Sequence, residues 1–246
     1  MNTIALDSST DVCSAALLRD GEVVAERLNL IGSNHAALLA TYVQELQAEA
    51  KERGLTVEGI VLSEGPGSYT GLRIGASLAK GLCYGADIPL LAVPTLAVIA
   101  SAAIRSQPSE VSNQSSALIC PMIDARRMEV YCALYDTSLS FVQPLSPIII
   151  NEQSFAEVLE KHVLYFCGNG AEKCKQVIRH PNARWIDGIV PTGAEAGRLA
   201  NECMRGLEDE RLSGQMKILK GKDIAYFEPN YLKDFIAAPS HIKGLH

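Results

Sequence analysis

Glu64-Gly65-Pro66-Gly67-Ser68-Tyr69-Thr70-Gly71-Leu72-Arg73-Ile74-Gly75 is the stretch on which the reading of this chain turns. It follows the apolar run Gly59-Ile60-Val61-Leu62, a buried strand with Ser63 as its polar exit. It precedes a segment of small residues and helix formers that runs to Gly85. The order is therefore strand, Gly-rich turn, helix. Gly65 and Gly67 permit positive φ on either side of the rigid Pro66, and Ser68 and Thr70 can cap the helix. A helix start with free N–H groups is an anion site, to which Arg73 adds a guanidinium. A tight turn that merely brings strand and helix together is the plainer alternative. Neither G-x-x-x-x-G-K-[ST] nor G-x-G-x-x-G is present.

Upstream, Thr3 to Leu6, Val12 to Leu18 and Glu22 to Leu28 read as three antiparallel strands, with Asp20-Gly21 as a hairpin turn. Ser33-Asn34 caps a helix that runs to about Arg53, with Gly54 as its stop. Leu38, Leu39, Tyr42, Val43 and Leu46 share one face of it. Pro89 to Val93 is a fifth strand, and Pro94 opens a helix to about Arg105.

The polar stretch 106–116 is a linker, and beyond it the order repeats. Strands are expected at Ala117 to Ile123, Met128 to Tyr135 and Phe141 to Ile150. A helix is expected at Glu152 to Lys161, then a strand at Val163 to Cys167 and Gly168-Asn169-Gly170 opening another helix. Asp7 and Asp124 end the first strand of each half, and Asp20 and Asp136 follow thirteen and twelve residues later. This half-chain echo suggests a duplicated α/β unit. Thr192 caps a last helix to about Arg205, Phe227 to Lys233 is apolar enough to dock, and 239–246 is a frayed tail.

Composition narrows the function. The 246 residues carry a net charge of −6 and only 6% aromatics, which disfavours a stand-alone nucleic-acid binder. The seven cysteines show no C-x-x-C spacing and read as buried thiols of a reducing compartment. The apolar stretch Ile88 to Ile104 contains Pro89 and Pro94, so it is strand and helix rather than a membrane span. No signal peptide is visible, and a soluble, cytoplasmic protein is expected.

Asp7, Ser8, Ser9 and Thr10 offer a carboxylate and hydroxyls to a ligand or its Mg²⁺, or simply make a turn. The matching second turn has Ala125-Arg126-Arg127 after its aspartate, so the two turns have diverged. His35 has Leu39 four residues on, where a helical metal pair needs a second histidine, so no metal is expected. A serine-hydrolase elbow is absent. Gly71, Gly75, Ala79 and Cys83 form a small-residue stripe open to close approach by its own sheet or by a partner.

Ile4-Ala5-Leu6-Asp7-Ser8-Ser9-Thr10, Gly65 to Gly75 and Ile123-Asp124-Ala125-Arg126-Arg127-Met128-Glu129-Val130-Tyr131 resemble the TsaB (YeaZ) family. Pro229-Asn230-Tyr231-Leu232-Lys233 resembles its C-terminal P-x-Y-L-R, with lysine in place of arginine. The resemblance covers nearly the whole chain and is weakest from about Glu172 to Asp223. It implies a duplicated actin-like (ASKHA, ribonuclease H-like) two-lobed fold: a lobe of residues 1–105 completed by about 224–240, and a second of 117–206. It implies a non-catalytic subunit of the bacterial machinery that makes N6-threonylcarbamoyladenosine (t6A) in tRNA. The implied partners are the catalytic paralogue TsaD and the ATPase TsaE, with a homodimer in isolation and tRNA met only through the complex. No cofactor is implied. The expected interface is His35, Leu38, Leu39, Tyr42, Val43, Leu46, Gly71, Gly75 and Ala79; the expected phosphate-binding set is Asp7, Ser8, Ser9, Thr10, Gly65, Gly67, Ser68, Thr70 and Arg73. The rival is an ASKHA-type kinase or ATPase working in the interlobe cleft.

Overall fold

In a computed structural model of the chain, residues 1–32, 34–107, 116–206 and 216–232 are described. The first half runs β1 (Asn2–Asp7), β2 (Cys13–Arg19), β3 (Glu22–Asn29), α1 (His35–Glu52), β4 (Gly59–Ser63), α2 (Tyr69–Ala86), β5 (Leu90–Val93) and α3 (Thr95–Ser106). The second runs β6 (Ala117–Asp124), β7 (Glu129–Tyr135), β8 (Phe141–Ile149), α4 (Ala156–Leu159), β9 (Val163–Cys167) and β10 (Ala183–Ile186). Then come α5 (Gly193–Arg205), β11 (Lys217–Leu219) and α6 (Lys222–Tyr226).

The six-stranded sheet has the order β11-β5-β4-β1-β2-β3 and the five-stranded sheet β10-β9-β6-β7-β8. Without β11, each reads fifth, fourth, first, second, third strand of its half. In each, the first strand pairs antiparallel with the second and parallel with the fourth. The halves therefore repeat one topology, the actin-like arrangement expected from the sequence.

The layers explain the hydrophobic pattern. α1 and α2 cover the outer face of the first sheet, while α5 lies on its inner face and α3 lies on the second sheet. β2 is thus apolar on both faces and buried through Leu18, whereas the edge strand β3 alternates. One core cluster joins both inner faces through α3 and α5, from Ala5, Leu18 and Val61 to Ile119, Ala133 and Tyr165. A Cβ on Gly193 would stand 2.5 Å from the Ala5 carbonyl oxygen, so glycine lets α5 start directly on β1. Buried Glu195 of α5 accepts from Ser101 Oγ at 2.8 Å and Arg105 Nε at 3.0 Å, tying α5 to α3. By sequence position α5 falls in 117–206, yet its packing is against the first sheet.

Several expectations are corrected. The Glu152 to Lys161 helix shrinks to the single turn α4. Asn151 Oδ1 accepts from Gln153 N at 2.9 Å, and Phe155 has φ 65, so helical geometry cannot begin before Ala156. After Gly170 there is only a 3₁₀ turn, Glu172–Cys174, whose Cys174 folds into the core. Asn34 adopts φ 64 and its side chain makes no capping bond, and Ser33 lies outside the described residues. β10, β11 and α6 escaped sequence reading. Residues 108–115 of the linker, Lys233 at the end of the docking segment and the tail 239–246 lie outside the described residues. All seven cysteines are buried thiols, and among the described residues no helix is long and apolar enough to cross a membrane.

Candidate functional site

The Gly-rich turn after β4 and the aspartate turn after β1 meet. Asp7, Ser8, Ser9 and Thr10 are all buried. Asp7 Oδ1 accepts from Ser9 N and Ser9 Oγ, both at 3.0 Å. Ser8 Oγ donates to the Gly71 carbonyl at 2.8 Å, and Thr10 Oγ1 accepts from Val12 N at 3.3 Å. Ser68 N donates to the Ser9 carbonyl at 2.6 Å, while Ser68 Oγ caps α2 by accepting from Gly71 N at 3.3 Å. A Cβ on Gly67 or Gly71 would collide with the Ser9 or Ser8 carbonyl oxygen. The expected cradle residues Asp7, Ser8, Ser9, Thr10, Gly65, Gly67 and Ser68 are thus brought together, but apart from Asp7 Oδ2 the side-chain oxygens of Asp7, Ser8, Ser9, Thr10 and Ser68 are engaged within the turns and the start of α2. Thr70 and Arg73 stand outside on the exposed face of α2. The tight-turn reading fits this geometry better than the anion reading.

Burial pushes the Asp7 carboxyl up to about 6; Ser63, Ser9 and the nearby His35 partly oppose this. Asp7 Oδ2 and Ser63 Oγ are buried without a hydrogen bond of ordinary geometry, although the Ser63 hydroxyl is close enough to act on the carboxyl. His35 Nε2 lies 3.0 Å from the Thr10 carbonyl, which only accepts, so that nitrogen carries the proton. His35 is thus a staple between α1 and the first turn, and Leu39 points into the core.

The second turn is held by a cation from the chain itself. Lys173 Nζ donates to Asp124 Oδ1 at 2.5 Å, to the Arg127 carbonyl at 2.8 Å and to the Glu129 carbonyl at 2.6 Å. Arg126 N also donates to Asp124 Oδ1, at 2.7 Å. Asn169 of the Gly-Asn-Gly loop accepts from Asp124 N at 3.0 Å, so each half's aspartate turn is clamped by the loop after its fourth strand.

The interface expectation needs correcting. Leu39, Val43 and Leu46 lie buried on the inner face of α1, and Gly71, Gly75 and Ala79 on the inner face of α2. Gly71 and Gly75 press on Ser8, because that helix must approach the β1 turn closely. Leu38 and Tyr42 are only partly buried, at the rim of that core. Sequence reasoning missed the outward face. There, Ala36 and Ala40 of α1 and Ile74, Ser77, Leu78 and Arg73 of α2 line an open groove of about 350 Å³. The available signal was Ile74 and Leu78 at i, i+4, a second apolar stripe.

Two sheets of one topology, each with an aspartate turn clamped from its fourth strand, define an actin-like protein. YeaZ from Pseudomonas aeruginosa matches this structure with a TM-score of 0.72 and 25% identity, over 94% of this chain and 99% of that one. A sequence model described as TsaD, tRNA N6-adenosine threonylcarbamoyltransferase, matches residues 29–238. The chain belongs to this family and, within it, to the TsaB group. It is 34% identical over 147 residues to the tRNA threonylcarbamoyladenosine biosynthesis protein TsaB of Bacillus subtilis (strain 168), covering 60% of each. It is also 30% identical over 109 residues to a tRNA N6-adenosine threonylcarbamoyltransferase of Geobacter sp. (strain M21), covering 38% of this chain and 32% of that protein. The match to the Bacillus subtilis relative thus spans about three-fifths of that protein's length.

Proposed function

We propose that this chain is a non-catalytic subunit of the cytoplasmic machinery that makes t6A in tRNA, and that it docks a catalytic TsaD-type paralogue on the outer face of α1 and α2. The observation that carries the reading is the open apolar groove between those helices, lined by Ala36, Ala40, Ile74 and Leu78. Such a groove accepts an amphipathic helix through anchors at i and i+4 spacing. In this reading the partner supplies the chemistry, because Asp7 is buried with one oxygen held by Ser9 and Asp124 is paired with Lys173. His35 serves as a staple beside the core residue Leu39. The subunit stabilises the catalytic chain, helps recruit the ATPase TsaE, meets tRNA only in the complex, and pairs with itself when the paralogue is absent.

Sedimentation of the purified chain with a purified TsaD-type paralogue tests this. The reading predicts a discrete complex at micromolar concentration that Ser77→Glu, at an exposed position in the groove, abolishes without lowering the melting temperature. Two species sedimenting independently would refute it.

A further inference from the structure

The one charged residue lining the groove is Arg73, and among the described residues no carboxylate forms an ion pair with it. Its guanidinium carbon lies 4.9 Å from the centroid of the Tyr69 ring, one helical turn back. The Tyr69 ring in turn meets Tyr231, with centroids 5.0 Å apart and planes tilted by 46°. Arg73 is therefore braced by an aromatic pair, half of which comes from the far end of the chain.

That far end is itself tied down at the Gly-rich turn. Asn230 N donates to the Glu64 carbonyl at 2.7 Å, and a Cβ on Gly65 would stand 2.7 Å from the Asn230 carbonyl oxygen. Lys217 Nζ bonds the buried Glu64 carboxylate at 2.8 Å. Ile224 and Phe227 anchor the segment in the core beneath α2. Such bracing removes most of the rotamer freedom an exposed arginine would lose on binding. A fixed guanidinium at the rim of an apolar groove matches a carboxylate with two parallel hydrogen bonds.

We propose that Arg73 is the anchor for a carboxylate on the helix that docks in the α1–α2 groove, and that Tyr69 and Tyr231 position it, so that the C-terminal segment of this chain sets the strength of that contact. This rests on the docking reading and adds to it the chemistry of the partner: an amphipathic helix with an Asp or Glu beside its apolar anchors.

The test measures the affinity of the full chain for the TsaD-type paralogue at several salt concentrations, alongside self-association and thermal melting of each variant. Arg73→Gln should weaken the complex about tenfold at low salt and flatten its salt dependence. Tyr231→Ala should weaken it about fivefold, because the ring that braces Tyr69 is lost, whereas Tyr231→Phe keeps that ring and should bind as the wild type does. If the wild type binds and Arg73→Gln binds equally well with the same salt dependence, the anchor is wrong while the docking reading stands. A wild type that fails to bind removes both. Loss of self-association alone in Arg73→Gln would make a second copy the occupant and overturn the proposal. Unchanged affinity in Tyr231→Ala would overturn the positioning role.

Discussion

A Cβ on Gly75 would stand 2.6 Å from the Ser8 hydroxyl oxygen and 3.1 Å from a Leu62 methyl. The Ser8 hydroxyl is held in place by its bond to the Gly71 carbonyl. α2 therefore cannot retreat without breaking the contact between the Gly-rich turn and the end of β1. Gly75→Leu should lower unfolding free energy by about 3 kcal/mol or more, at the upper end of overpacking costs. Denaturant unfolding measures this; an unchanged midpoint would mean that the glycine stripe faces outward.

Asp7 holds its proton more tightly in the folded state, where its pKa stands at about 6 against an ordinary 3.8. The folded state then binds more protons than the unfolded state between those values, so stability from this group falls as pH rises through them. The full loss is about 3 kcal/mol and is present above pH 6. An asparagine keeps an oxygen for Ser9 N and carries no charge. Asp7→Asn should therefore stabilise the protein at pH 7 and give no such advantage below pH 4. A gain that does not vary between pH 4 and 7 would contradict the assignment.

Lys217 is more than half exposed, but its partner Glu64 is buried. Removing the lysine leaves a buried carboxylate without its cation, whereas Glu64→Gln removes both charges' demand at once. Lys217→Ala should cost about 1–2 kcal/mol, moderated by solvent at the lysine end, and Glu64→Gln less. Hydrogen exchange should rise at β11 and α6 in the lysine variant. Equal losses in the two variants would show that the pair acts only as a surface contact.

Lys173 donates to three oxygens of the second turn at once. Lys173→Met keeps the alkyl chain and removes all three bonds, so the turn at Asp124–Glu129 should open. A loss of about 1–3 kcal/mol is expected, with exchange increases confined to β6, β7 and the turn. A variant as stable as the wild type would mean that solvent replaces the ammonium without penalty.

The two sheets were legible because their strands carry long apolar runs and because Asp20-Gly21 marks a hairpin. The echo of Asp7 in Asp124 gave the duplication. Short mixed strands such as Ala183-Arg184-Trp185-Ile186 and Lys217-Ile218-Leu219 lack run length, so β10 and β11 escaped. The site was harder. α2 has two apolar stripes, Gly71-Gly75-Ala79 and Ile74-Leu78, and only the neighbouring turn decides which one packs inward. The partners of Asp124 and Glu64 lie 49 and 153 residues away, so no local pattern could reveal that these carboxylates are already neutralised.

The central claim is that this chain contributes a docking face and its partner the chemistry. Formation of t6A on transfer RNA tests it most directly, using the purified chain, the TsaD-type paralogue, TsaE, ATP and a threonylcarbamoyl donor. The account predicts no product from the chain without the paralogue, product from the complete mixture, and loss of product with Ser77→Glu at an unchanged melting temperature. Product formed by the chain alone, or undiminished product from a Ser77→Glu chain that no longer associates, would contradict it.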